Sequence, residues 1–396
     1  LSRKRLLTLI LTLTAARLVI NMTRRFSYPF LPAISRNLDV PLSYAQNVVA
    51  VQSGAGLASP LFSPLSYRFG HKRVMLSTLL VMAGASFLGA IAPTFAIFAI
   101  LMLVYGVVKM IYDPTMQAYL SEIVSYRRRG LALGLTELSW AGALVVIAPV
   151  AALLLGEIGL EAVFLFFGIC TSAAFLLVWR LIPAREKPAE GESVPAPITP
   201  RLAWQTMKGS PVALAALAYS LLLVTANEML FISYGVWMED TFGLALAALG
   251  TATIVIAAAE VVGEFTVIGL SDHTGKRNMA LGGALVAGVM YGVMPLLSFH
   301  LVAALAGLFV LFIGVELAIV ASIPFFSEIL PHARTTMLSS NISAHSAGRL
   351  FGALLGAFLF GLTDSFALVS VVAMVIGLVA FGVMALLLRE HEDEKV

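Results

Sequence analysis

The amino-acid sequence predicts an all-α membrane protein, with twelve transmembrane helices in two pseudo-symmetric six-helix bundles. Three observations carry that expectation. First, 60% of the 396 residues are hydrophobic and 12% are charged, with a mean hydropathy of +0.95; soluble domains sit near 45–50% and about 25%. Second, the apolar residues gather into runs close to the roughly 20 residues that cross a bilayer as a helix. Third, the two halves of the chain repeat one another. This composition excludes a water-soluble enzyme, a nucleic-acid-binding module and a disordered chain. The net charge of +3 is no sign of a nucleic-acid partner. Cys170 is the one cysteine, which allows neither an intrachain disulfide nor a thiolate-rich metal site.

In chain order, the expected spans are 6–32, 43–66, 74–92, 95–120, 131–155 and 162–182, then 211–237, 246–269, 279–298, 301–326, 336–360 and 366–388. The first is too long for a signal peptide and no small-residue cleavage site follows it. Lysine and arginine in the loops set the orientation. Nineteen of the 25 lie at the amino end, in alternate loops or in the carboxyl tail, from Arg3, Lys4 and Arg5 to Arg389 and Lys395. The opposite loops hold Arg36 alone. Both termini are therefore expected in the cytoplasm. The stretch 183–210 holds Pro183, Pro188, Pro195, Pro197 and Pro200 and shows no apolar period. It reads as a cytoplasmic linker between an amino-terminal bundle, 1–182, and a carboxyl-terminal bundle, 211–396.

A shift of 206 residues sets Asn21 on Asn227, Ser27-Tyr28 on Ser233-Tyr234, Ser121-Glu122-Ile123 on Ser327-Glu328-Ile329 and Arg128 on Arg334. A shift of 205 sets Gly70-His71-Lys72 on Gly275-Lys276-Arg277. Matches in register on equivalent helices indicate a duplicated six-helix unit. Two such repeats around a midplane site form a transporter architecture.

With these residues in place, the chain resembles the major facilitator superfamily over essentially its whole length, and most closely its bacterial drug and metabolite efflux branch. The family's loop after the second helix reads Gly-x-x-x-Asp-Arg-x-Gly-Arg-Lys. The second-half copy, Ile268 to Arg277, keeps Asp272, Gly275, Lys276 and Arg277. The first-half copy, Ser63 to Lys72, keeps Arg68, Gly70 and Lys72, with Tyr67 in place of the aspartate. The segment Arg128-Arg129-Gly130-Leu131-Ala132-Leu133-Gly134 is similar to the family's junction between helices 4 and 5. The glycine permits a sharp turn and the basic residues hold it at the cytoplasmic surface. Asp272 is either half of a conformational latch or an anchor; Lys72 and Arg73 read as anchors. The resemblance implies a gate at this surface, comprising Arg68, Gly70, Lys72, Glu122, Arg128, Glu137, Glu264, Asp272, Gly275, Lys276, Arg277, Glu328 and Arg334. Within that set, Glu122 and Glu328 are expected to pair with loop arginines.

The spans contain ionisable groups that would each cost about 2.5–3.5 kcal/mol facing lipid at mid-bilayer. They are Asp113, Glu137, Glu228, Glu260, Glu264, Glu316, Arg17, Arg24, Arg25, Lys109, Arg349 and His345. None falls on spans 3, 6, 9 or 12, which the resemblance places at the periphery. Arg17, Asn21, Arg24 and Tyr28 share one helical face, as do Asn341, His345 and Arg349. Lys109 and Asp113 form an i,i+4 pair beside Pro114, and either bind substrate or neutralise each other. Arg24 and Arg25 either line a cavity or reach toward the outer interface. Glu260 and Glu264 share a face and repel, which favours a proton on one of them. Asp113, Glu228, Glu316 and Glu260 are thus the candidates for proton coupling. The substrate-binding candidates are Arg17, Asn21, Arg24, Tyr28, Lys109, Tyr112, Asn227, Tyr234, Asn341, His345 and Arg349.

There is no GxxxxGK[ST] phosphate loop, no HExxH and no GxSxG in the sequence, so a gradient rather than ATP is expected to drive transport. The expectation is a secondary transporter, not an enzyme, without cofactor or metal. Its partners would be a small organic substrate, protons and membrane lipids, and it would act as a monomer in a prokaryotic plasma membrane. Five basic groups favour an anionic or zwitterionic substrate; six acids leave an amphiphilic cation open. Proton-coupled efflux leads. Two departures from the family open the alternatives. Of the exporters' helix 5 motif only Pro149 survives between Leu144 and Leu153, and Met102 stands where many members have arginine. The alternatives are a proton symporter, a facilitator, or a lipid or lysolipid flippase of the same fold.

Overall fold

The computed structural model describes residues 3–58, 62, 65–66, 68–124, 126–183, 200–330 and 333–388; for residues 3, 126–131, 133, 200, 202, 272 and 335 it describes only the backbone. Ser63, Pro64 and Tyr67 of the first basic loop, most of the linker, and Arg389 and Lys395 lie outside the described residues. Every described element is helical. Eleven of the described helices are long and apolar enough to cross a membrane.

The chain divides into two compact units, Leu1–Pro197 with Leu246–Thr253, and Ile198–Ala245 with Ile254–Val396. The first begins with α1 (Arg3–Arg25) and α2 (Ser27–Asn37). Together they replace the single span expected at 6–32. The cause is local: Pro29 and Pro32 have no N–H to donate to the turn before them. The chain bends at Phe26, which still donates to the Met22 carbonyl at 3.1 Å. The second expected span, 43–66, is not one continuous α-helix either. It runs as α3 (Leu42–Gly54) and tightens into a 3₁₀ turn, Ala55–Ala58. Gly54 and Gly56 weaken the helix there. With this broken crossing the twelve-helix architecture is complete.

The remaining spans of this unit are α4 (His71–Ile91), α5 (Phe95–Ile123), α6 (Tyr126–Glu157) and α7 (Leu160–Leu181). Thr94 caps α5 by accepting from the Ile97 N–H at 3.4 Å, the expected use of a threonine at that position. Helix α1 packs on α5, α6 and α7, and α4 packs on α5 and α7. Phe26 meets the Phe167 ring edge-on at 5.1 Å. Arg17, Asn21, Lys109, Asp113 and Glu137 all lie on the three helices α1, α5 and α6.

The second unit opens with a short helix in the linker, α8 (Pro200–Met207), followed by α9 (Pro211–Phe242). Ser210 caps α9, accepting from Ala213 N–H at 3.2 Å, and Pro211 occupies the first turn, where no N–H is needed. Then come α10 (Leu246–Thr274), α11 (Lys276–Val293), α12 (Leu301–Ile329), α13 (Arg334–Thr363) and α14 (Phe366–Leu387). Helix α9 packs on α13 and α14, and α11 on α12 and α14. Trp237 stacks on Phe366 at 4.3 Å and donates through Nε1 to Ser298 at 3.1 Å.

The sequence repeat appears in the backbone. Gly70 has φ 88° and ψ 138°, and Gly275 has φ 84° and ψ 135°. Both turn the chain into the next helix in a conformation that only glycine adopts cheaply. Lys72 donates to the Trp179 carbonyl at 2.7 Å. Its repeat partner Arg277 donates to the carbonyls of Ala385 at 3.0 Å and Leu388. Trp179 and Ala385 are themselves related by the 206-residue shift. Each basic side chain therefore satisfies free carbonyls at the end of the sixth helix of its own unit, the favoured place for a cation.

Candidate functional site

In the first unit, one residue per turn of α1 faces α5 and α6. Asp113 on α5 accepts from Arg17 Nε at 3.3 Å and from Lys109 Nζ at 2.7 Å. Arg17 Nη1 reaches Glu137 Oε1 at 2.8 Å and the Thr136 carbonyl at 3.0 Å. Lys109 also donates to Asn21 Oδ1 at 2.6 Å, and Asn21 Nδ2 donates to Ser139 Oγ at 3.0 Å. Two cations and two carboxylates thus neutralise one another in a connected network, the arrangement that makes buried charge tolerable. Spacing pointed to the Lys109–Asp113 pair; Arg17 joins it from another helix. Glu137, expected at the cytoplasmic gate, is held by Arg17 within this network.

Above this network on α1, Arg24 is 8% exposed and Arg25 is fully buried. The outward-reaching alternative is therefore corrected for both: their side chains turn inward, where polar groups of other helices meet them. Arg24 Nη2 donates to Ser53 Oγ on α3 at 3.1 Å, and Tyr28 OH lies 3.4 Å from the same oxygen. Arg25 donates to the Trp140 carbonyl at 3.0 Å, with its guanidinium 4.5 Å from the Trp140 ring centre. Lys109 Nζ lies 5.5 Å from that ring, so Trp140 supplies a cation–π surface to two helices. Tyr112 is buried and its hydroxyl has no hydrogen-bond partner among the described residues.

Ser53, Ser139 and Trp140 enter these contacts although reasoning from charge passes them over. A signal existed for Ser53, since Gln52-Ser53 is a polar pair inside an apolar run. Ser139 carried one as well, since it stands in the polar stretch Thr136-Glu137-Leu138-Ser139.

In the second unit the acids dominate. Glu228 on α9 is 3% exposed and Glu260 on α10 is 6% exposed; Glu264 and Glu316 are half-buried. A Cβ placed on Gly352 of α13 would stand 2.8 Å from Glu228 Cβ, and one on Gly263 would stand 2.6 Å from Glu316 Cβ. Each acid therefore sits where a glycine lets a second helix approach. Ser220 donates to Asn341 Oδ1 at 2.6 Å. Tyr234 is buried against Phe231, ring centres 6.3 Å apart. Asn227, His345 and Arg349 are half-buried. Asn227 does not reproduce the bonds of its repeat partner Asn21: its Oδ1 has no partner among the described residues.

At the helix ends facing the basic loops, Glu328 pairs with Arg334 at 2.6 Å, the expected partnership. Glu122 meets His71 Nε2 at 2.9 Å; the side chains of Arg127, Arg128 and Arg129, the loop arginines next to it, lie outside those described. Arg68 lies over the Phe69 ring at 5.3 Å. Lys276 is exposed. The side chains of Arg128 and Asp272 lie outside those described. Among the described residues no cluster of three metal-ligating side chains occurs.

Three comparisons place this architecture among known proteins. A Bacillus subtilis (strain 168) protein described as an uncharacterised MFS-type transporter, YceJ, is 24% identical over 344 residues, with 86% of each chain covered. A crystal structure of a bacterial homologue of the human lysosomal transporter Spinster, inward-facing and unoccupied, superposes with a TM-score of 0.75 over 98% of each chain. At 15% identity, that likeness speaks for the fold alone. The family description of the Major Facilitator Superfamily matches residues 13–314 and again 220–396, and the chain is a member of that superfamily.

Proposed function

We propose that the protein is a proton-coupled secondary transporter that exports a small organic molecule by alternating access. The observation that carries this reading is the Arg17–Lys109–Asp113–Glu137 network, which links three membrane-spanning helices through ion pairs. A proton arriving on Asp113 would remove the charge that ties Arg17 of α1 to α5, leaving Arg17 with Glu137 on α6, and so free α1 to move against α5. Substrate binding that displaces the same cations would act in the reverse sense. That is a coupling device of the kind alternating access requires. Glu228, Glu260 and Glu316 are the second set of proton carriers, the first two buried and the third half-buried, on α9, α10 and α12; the described basic groups at membrane depth in this unit, His345 and Arg349, lie on α13. Arg17, Asn21, Arg24, Tyr28, Lys109 and Tyr112 supply the substrate-binding surface of the first unit. Asn227, Tyr234, Asn341, His345 and Arg349 supply that of the second. The basic loops, with Glu122–His71 and Glu328–Arg334, form the cytoplasmic gate. Export is preferred over uptake on the likeness of these loops to the efflux branch.

The test is proton flux in proteoliposomes carrying a pH-sensitive dye, challenged with anionic, zwitterionic and cationic amphiphiles. Substrate-dependent flux is expected, outward export giving proton movement opposite to substrate. Glu228→Gln, Glu316→Gln and Asp113→Asn are each expected to abolish it. Labelled substrate crossing without any proton movement would replace this reading with facilitated diffusion.

A further inference from the structure

We propose that Arg24, with Ser53 and Tyr28, forms a binding site for an oxyanion — a carboxylate or phosphate group — and that the ligand is the anionic end of the transported molecule. The last clause rests on the transporter reading; the site itself does not.

Arg24 differs from Arg17 and Lys109. Arg17 and Lys109 are each within 3.5 Å of a carboxylate. Arg24 is 8% exposed, and the one hydrogen bond of its side chain among the described residues is to a neutral hydroxyl, Ser53 Oγ. Its buried Nε has no partner, and no carboxylate among the described residues pairs with it. A guanidinium offers five N–H donors in a planar fork, so most of its capacity is unused.

Three further observations point to an anion rather than a neutral group. Arg17, Arg24, Arg25 and Lys109 outnumber Asp113 and Glu137 at membrane depth in this unit, leaving an excess of positive charge in a low-dielectric setting. The hydroxyls around it are donors at the right range: Tyr28 OH lies 3.4 Å from Ser53 Oγ, itself 3.1 Å from Arg24. On the same turn of α3, the Gln52 side chain is 1% exposed and both its amide atoms lack partners. An oxyanion with two oxygens suits such a set: one pair of parallel N–H bonds from Arg24, and hydroxyl donors beside it.

The experiment compares benzoate and phenyl phosphate with the neutral isostere benzamide and the cation benzylamine, using full-length protein in detergent. Ligand-dependent thermal stabilisation is the first readout. The two anions are expected to stabilise the protein and the other two are not. Arg24→Gln is expected to weaken anion binding by about tenfold or more, Arg24→Lys to keep part of it, and Ser53→Ala to lose less than Arg24→Gln. Without ligand, Arg24→Gln is expected to melt at or above the parent, because it removes a buried charge that has no partner. Equal stabilisation by benzamide, unchanged anion binding in Arg24→Gln, or a destabilised, poorly folded Arg24→Gln protein would each overturn the site. The last would reveal a structural role for the charge.

A nanodisc arm separates the two sources of such a group. Arg24-dependent stabilisation by phosphatidylglycerol over phosphatidylcholine assigns the site to a lipid headgroup; stabilisation by phenyl phosphate in phosphatidylcholine alone assigns it to a free solute. Either supports the oxyanion site. Flux in proteoliposomes then separates the two proposals. Arg24-dependent binding of phenyl phosphate without its transport keeps the site and removes the transporter reading. Transport of benzylamine with no anion binding does the opposite.

Discussion

Asp113 accepts from Lys109 at 2.7 Å and from Arg17 at 3.3 Å, while Glu137 takes the other face of the Arg17 guanidinium at 2.8 Å. The four groups are not equivalent. Removing Asp113 leaves Lys109 with Asn21 as its remaining hydrogen-bond acceptor, close to Arg17 and with no counter-charge between them. Removing Lys109 leaves Asp113 still paired with Arg17, and Asn21 still bonded to Ser139. Asp113→Asn is therefore expected to cost about 3–5 kcal/mol, the range for an uncompensated buried charge. Lys109→Met should cost only about 1–2 kcal/mol, nearer to lost charged hydrogen bonds. The double substitution should cost less than Asp113→Asn alone, since it also removes the stranded cation; such non-additivity is the mark of a shared network. Denaturant unfolding in detergent of the two single variants and the double variant checks this. Equal costs for the single variants, or additive ones in the double, would mean that the four groups act as separate pairs.

Helix α13 meets α9 through glycines, and the geometry sets how much side chain the contact tolerates. A Cβ on Gly352 would lie 2.5 Å from the Thr225 carbonyl oxygen and 2.8 Å from Glu228 Cβ. The first of these is backbone and cannot turn aside. Nothing stands within 4 Å of the corresponding position on Gly361, lower on the same helix. Gly352→Ala should therefore destabilise by about 1–3 kcal/mol through overpacking and shift Glu228. Gly361→Ala should be neutral or stabilising by about 0.5–1 kcal/mol, from helix propensity alone. Thermal melts of the two variants decide it, and similar melts would mean that the helices part without cost. This contact was not legible in the sequence. A run of glycines on a helix says that something comes close, but not which carbonyl of which partner. The helices themselves were legible, because twenty apolar residues in a row have few other uses. Their breaks were written less plainly: Pro29 and Pro32 end α1 early, and Gly54 and Gly56 loosen α3. The same limit divides the candidate site. The i,i+4 spacing that joins Lys109 to Asp113 is local and readable; Arg17 reaching Glu137, and Arg24 reaching Ser53, depend on how separate helices pack.

For the whole molecule, membership of the superfamily makes the chain an integral membrane protein, and the basic loops predict which way it faces. Lysines and arginines in alternate loops resist translocation, so they stay on the cytoplasmic side. The structure gives two of them a second task. Lys72 and Arg277 are each spent on the free carbonyls at the end of a sixth helix, so the residues expected to orient the chain also close each bundle. The orientation can be tested with the cysteine arithmetic of this sequence. Cys170 is the one cysteine, and Cys170→Ser provides a background without thiols. Phe299, 77% exposed between α11 and α12, falls on the side expected to face outward. Lys208, exposed after α8, falls on the cytoplasmic side with the linker. In intact cells a membrane-impermeant maleimide should label Phe299→Cys at once and Lys208→Cys only after the membrane is opened. The reverse pattern would invert the topology and, with it, the assignment of the basic turns to an inner gate. Labelling of both from outside would mean that the charge bias does not set the orientation of this chain.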